Sequence, residues 1–169
     1  MTAPAPDLFL ERDAVISGCQ RYRYSLRRVW DHARPRVLFV MLNPSTADAE
    51  IDDATIRSCT RLSKSLSYGS FEVVNLMAYR TADPKELPRK PSDAIGPENP
   101  RAICAALERC AEVICAWGAH PYAQRFAGGV LDLIRLHSKV PMCLGMTKSG
   151  APKHPLYVKT GTPLQVLGC

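Results

Sequence analysis

Four short stretches in this 169-residue chain carry residue types that suit chemistry, and each follows an apolar run. They are Asn43-Pro44-Ser45, Asn75, Trp117-Gly118 and the loop reaching His154. Two amides and an imidazole are poorly matched to hydride or phosphoryl transfer. Neither common Gly-rich phosphate loop occurs, nor does a G-x-S-x-G nucleophile elbow. Ser45 and the cysteines have no assignable partner base. The set does suit a flat heterocycle. An amide pairs with a base edge, an aromatic ring supports stacking, and a histidine donates to an oxygen that gains negative charge.

The elements that must position these residues follow from periodicity. Val37 to Leu42 is a continuous apolar run, a strand buried on both faces, and it stops at a proline turn. Phe71 to Met77, Glu112 to Gly118 and Val140 to Gly145 have the same form. Helices are expected between them. Ile56, Cys59, Leu62 and Leu66 form one helical face, with Asp52 or Asp53 as its cap. Asn99-Pro100 reads as a second helix start, Asn as N-cap. A third helix is expected from about Pro121 to His137, weakened by Gly128-Gly129. Residues 81–100, with five prolines, form a long loop over the working edge.

Strands alternating with helices imply a three-layer α/β/α sandwich around a central, mainly parallel four-stranded sheet. Residues 8–30 add a β-rich lead-in. Within it, Arg21 to Arg27 alternates at strand period, either as a charge-guarded edge strand or as a nucleic-acid contact. In such a sheet, ligands bind beyond the carboxyl ends of the strands. That places Asn43, Asn75, Trp117-Gly118 and His154 at one edge. Asn75 inside an apolar run is either satisfied by backbone or held against a ligand. The acids after the first strand, Asp48, Glu50, Asp52 and Asp53, are either helix caps or water-activating and sugar-contacting carboxylates.

Composition sets the remaining bounds. One domain spanning residues 1–169 is expected, with residues 1–7 flexible. Apolar residues make up 46% of the chain. No apolar run approaches the ~18–20 residues of a membrane span, and no signal peptide is recognisable. A cytoplasmic protein is the expectation. Seven cysteines without a CxxC pair argue against a disulfide framework, a zinc site or an iron–sulfur site. No metal and no cofactor are expected. Net charge is +6, concentrated in six arginines between residues 21 and 36 and four lysines from residue 139 onward. This placement suits a phosphate-bearing partner.

The order of the strand-end motifs resembles the uracil-DNA glycosylase superfamily. Leu42-Asn43-Pro44 is similar to its first motif, in the form where an Asn positions water. Val73-Val-Asn-Leu76 is similar to the strand whose Asn reads the base, and Val113 to His120 to its Leu-Trp-Gly strand. His154-Pro155 resembles the motif whose His stabilises the base anion. The Ser-Pro-Leu-Ser continuation of that motif is absent, a Tyr-His pair after the first motif is missing, and the Asp cluster is foreign to the pattern. A closer resemblance, over almost the whole chain, is to a bacterial family named only as domain of unknown function 1643. It rests on Met41 to Asp48, Asp52-Asp53-x-Thr55, Asn75 to Arg80, Gly96 to Asn99, Trp117-Gly118 and Lys153 to Tyr157.

The resemblance implies a glycosylase-like hydrolase that flips a modified or mismatched base from DNA, in repair or modified-base processing. Asn43 and His154 would be catalytic, with Asp48 and Asp53 as candidate helpers. Asn75, Pro44, Ser45, Trp117, Gly118 and Tyr157 would surround the base. Lys148, Lys153, Arg80, Arg21 and Arg23 would hold backbone phosphates. Two alternatives stay open. One is a non-catalytic module binding a nucleobase or nucleic acid, and the other is an α/β protein whose strand-end polar groups are structural.

Overall fold

The computed structural model describes residues 9–168; the flexible start expected for residues 1–7 lies outside them. Seven strands form one mixed sheet: β1 (Glu11–Ile16), β2 (Arg23–Val29), β3 (Arg36–Met41), β4 (Ser70–Asn75), β5 (Glu112–Cys115), β6 (Pro141–Cys143) and β7 (Gln165–Val166). Their spatial order is β1-β2-β4-β3-β5-β6-β7. Helices α1 (Ala54–Ser65), α2 (Pro91–Ile95), α3 (Asn99–Arg109) and α4 (Pro121–Leu136) connect them.

The expected four-stranded sheet is corrected to a seven-stranded one. The four apolar runs supply β3, β4, β5 and β6, which pair in parallel. The lead-in is not an appendage. β2 lies antiparallel between β1 and β4, so it is not an edge strand. Its Leu26 and Val29 are buried, which an edge guarded only by charge does not require. β7 closes the far edge antiparallel to β6.

Alternation explains why the central runs are apolar throughout. Val37, Phe39, Phe71, Val73 and Ile114 pack with Ile56, Cys59 and Leu62 of α1. Leu38, Val40, Val74, Val113 and Cys115 pack on the opposite face with Ile103 and Leu107 of α3 and Ala127, Val130 and Ile134 of α4. α4 runs unbroken through Gly128-Gly129, both on its exposed side. Asn99 does not cap α3. It is buried in the first turn, and its Nδ2 donates to the carbonyls of Asn75 (2.9 Å) and Leu76 (3.3 Å) where β4 ends. Among the described residues, no helix is long and apolar enough to cross a membrane.

Candidate functional site

A cleft of about 600 Å³ opens beyond the carboxyl ends of β3 and β5. That volume falls in the ~300–1,000 Å³ range of small-molecule sites. Asn43, Ser45, Asp53, Trp117, His154 and Tyr157 all line it, drawn from four separate segments.

β3 ends at Met41, and the proline two residues after Leu42 turns the chain. The Asn43 amide is then fixed by two hydrogen bonds from Nδ2, to the carbonyls of Thr81 (2.9 Å) and Pro44 (3.1 Å). Thr81 N–H returns a bond to the Pro44 carbonyl. With its donors spent on backbone, Asn43 offers the cleft its Oδ1, an acceptor. The start of the proline-rich loop, Thr81, Ala82 and Pro84, forms the facing wall.

Asp53 stands at the N-terminus of α1 and accepts a hydrogen bond from Ile56 N–H (2.9 Å) through Oδ1. It is therefore a cap, and it is also part of the cleft wall. Its second carboxylate oxygen is not used by the cap. Asp48 has a different job. Its Oδ1 accepts from Glu50 and Ile51 N–H, both at 2.8 Å, and these bonds hold its carboxyl below the usual carboxylate range. Asp48 does not line the cleft.

His154 precedes Pro155 in a short 3₁₀ turn, and its Nδ1 accepts from Leu156 N–H at 3.3 Å. A ring whose Nδ1 accepts carries its proton on Nε2. Burial lowers the His154 pKa below its ordinary value, and the charge of Asp53 opposes that shift. The result is a neutral imidazole with an Nε2–H donor. The loop that carries it is tied to β5 by the Gly118 N–H to Pro152 carbonyl bond (2.9 Å). Gly118 sits at φ +74°, where a side chain is strained, and a Cβ there would meet the Cβ of His154 at 3.8 Å.

His120 is a cleft residue that was not expected. It caps α4 just before Pro121, and its Nδ1 accepts from Tyr122 N–H at 3.2 Å. The signal was present in the sequence. His-Pro occurs twice, at 120–121 and 154–155, and both pairs begin a helical turn. Thr55 and Thr81 add hydroxyls to the wall.

Arg23 reaches the cleft because of a backbone irregularity. Val15 pairs with Ser25 but Ile16 pairs with Arg23, so Tyr24 is an extra residue in β2. Such a bulge reverses the alternation beyond it. Tyr24 and Ser25 both face a groove beside α3, and Arg23 turns to the α1 side. There Arg23 is 2% exposed, donates from Nη1 to the Ala47 carbonyl (3.0 Å), and leaves Nε without a partner. Burial pulls its pKa down to about 10, with Asp53 the largest opposing charge, so it remains a cation at neutral pH.

Other expected residues fall elsewhere. Asn75 does not line the cleft. Alternation places it on the α1 side with Val73, and its Nδ2 and Oδ1 are both buried without a partner. Pro44 and Gly118 do not line the cleft, although their neighbours Asn43, Ser45 and Trp117 do. Lys148 and Arg21 are exposed, Arg80 and Lys153 are half-buried, and none of the four lines the cleft. Among the described residues, no group of three or more His, Cys, Asp or Glu is arranged to hold a metal ion.

A family model described as a protein of unknown function, DUF1643, matches residues 23–156. No curated protein and no solved structure matches the chain. The match runs from the cleft arginine of β2 to the turn after His154 and takes in most of the sequence, and the chain accordingly belongs to the DUF1643 family of proteins of unknown function.

Proposed function

We propose that the cleft binds a nucleobase-bearing ligand and hydrolyses its N-glycosidic bond, the reaction class implied by the resemblance to the uracil-DNA glycosylase superfamily. The observation that carries this reading is the convergence of the Asn43 acceptor, the Asp53 carboxylate and the His154 donor on one cleft. Water adds its oxygen to C1′ of the sugar and the C1′–N bond breaks. Asn43 Oδ1 orients that water, and the free oxygen of Asp53 takes its proton. The departing base carries the bond's electron pair as negative charge, which His154 Nε2–H stabilises through a base oxygen. A proton from solvent completes the free base. Trp117 and Tyr157 supply aromatic surface for the heterocycle.

A non-catalytic nucleobase-binding module is the second reading. It is favoured by one feature: Asn43 and Asp53 each spend part of their hydrogen-bonding capacity on local backbone. The test is chromatographic detection of free base. The substrates are DNA containing uracil, hypoxanthine or modified cytosines, and the corresponding nucleosides and nucleotides. Released base supports hydrolysis. Binding without release favours the module, and neither binding nor release overturns both.

A further inference from the structure

The cation at the cleft lies deep in its wall and not at its mouth. Arg23 is the one Lys or Arg among the described lining residues, and it is almost wholly buried. Its neighbours on β2 are neutralised. Arg27 pairs with Asp13 at 2.5 Å and Arg28 with Asp52 at 2.7 Å. Arg23 makes no ion pair among the described residues, and its Nε is buried without a partner. The exposed residues of the lining, Ala54, Ala82, Ala119, Leu156 and Tyr157, are uncharged.

An enzyme that flips a base out of a polymer leaves the phosphates outside, on a basic rim. Here the arrangement is reversed. Asp53 is the largest opposing charge on Arg23 but makes no ion-pair contact with it. A desolvated guanidinium without a contacting carboxylate is costly unless a ligand supplies the anion. Its planar fork matches the oxygens of a phosphate.

We infer that the cleft takes a free mononucleotide whose phosphate monoester enters with it and pairs with Arg23. This rests on the nucleobase reading of the same cleft and names its substrate class. The β2 bulge is then the device that delivers the phosphate ligand. Asn43, Asp53 and His154 are left to face the sugar–base bond.

Isothermal titration calorimetry of the full chain tests this. The probes are deoxynucleoside 5′-monophosphates, including those of uracil and hypoxanthine, their parent nucleosides, a single-stranded oligonucleotide and inorganic phosphate. At least one monophosphate is expected to bind ten-fold or more tightly than its nucleoside. That preference should shrink below three-fold in Arg23→Met. Equal binding of nucleoside and monophosphate overturns the anion site and leaves the nucleobase reading standing, as does an oligonucleotide that outcompetes every monophosphate. Arg23-dependent binding of inorganic phosphate with no binding of any nucleoside or nucleotide keeps the anion site and overturns the nucleobase reading. Silence from every probe overturns both. Should Arg23→Met fail to fold, the nucleoside-against-monophosphate comparison on the unaltered protein decides.

Discussion

His154 and His120 use the same local device. Each precedes a proline and accepts an N–H two residues ahead through Nδ1, which directs Nε2–H away from its own backbone. For His154, burial lowers the pKa, so the neutral donor is the resting form at pH 7. The folded value lies below the ~6.5 of an unfolded chain. As pH falls through that value, the unfolded chain takes up the proton first, so stability declines between the unfolded and folded pKa values. Melting temperature measured against pH should show this decline below ~6.5, and His154→Gln should flatten it. Asp53 is the residue where capping and chemistry are separable. Asn caps as well as Asp, so Asp53→Asn should change stability by no more than about 0.5 kcal/mol. If Asp53 is the general base, the same change should slow base release by ~10²–10⁴-fold. Unaltered release in Asp53→Asn would reduce this residue to a cap. Both roles of Asp53 could be weighed from sequence, because an Asp before a helical apolar face has only a few uses. The orphaned amide of Asn75 was not legible in the same way. An Asn inside an apolar run points to either face of the sheet, and only the alternation of β4 places it beside Val73 on the α1 side, buried and outside the cleft lining.

Strand ends and helix starts place the site. β3, β5, α1, α4 and the loop before His154 were all legible as apolar runs bounded by Pro, Asn, Asp or Gly. The bulge in β2 was not legible. Arg21 to Arg27 alternates cleanly in the sequence, and nothing local marks Tyr24 as the extra residue. The bulge arises from pairing with β1, which is a tertiary matter. It turns an arginine expected on a wet surface into a buried wall of the cleft. Gly118 is the joint on the other side. Its φ of +74° turns the chain after β5, and its N–H bond to the Pro152 carbonyl fixes the His154 loop, which follows β6, against that turn. Gly118→Ala keeps ordinary contact distance to His154 but forces a side chain into left-handed backbone. It should cost about 1–2 kcal/mol in denaturant unfolding. Unchanged stability would show that the joint tolerates other backbone conformations.

Across the whole molecule, charge is arranged to hold the sheet together more than to coat it. Arg28 is fully buried and donates to Asp52 Oδ1 from Nε (3.0 Å) and Nη2 (2.7 Å), and to the Asp48 carbonyl (2.6 Å). It fastens β2 to the loop that leads into α1. Glu72 of β4 is equally buried and pairs with Arg109 of α3 at 2.6 Å and with Arg36 of β3 at 3.8 Å. Composition showed a basic lead-in, but not that much of it is neutralised internally, because ion-pair partners lie far apart in sequence. Removing one member of a buried pair strands the other. Glu72 is the buried member and Arg109 is 41% exposed. Arg109→Ala, which leaves the Glu72 carboxylate with only Arg36 at 3.8 Å, is therefore expected to destabilise by about 1–3 kcal/mol, seen as a lower midpoint in urea. A change below about 1 kcal/mol would place the pair among weak surface bridges. The strand order and the two-faced core could be anticipated in part, since β3 to β6 read as buried runs. The antiparallel flanks and the cleft's inward cation could not. In the proposed reaction Asn43, Asp53 and His154 act together on a C1′–N bond. The most direct measurement is single-turnover release of free base, comparing the native protein with His154→Gln on the nucleotide or oligonucleotide that binds best. The expected result is release by the native protein, slowed by ~10²–10³-fold in His154→Gln, with binding retained. Tight binding with no base released by the native protein would contradict it.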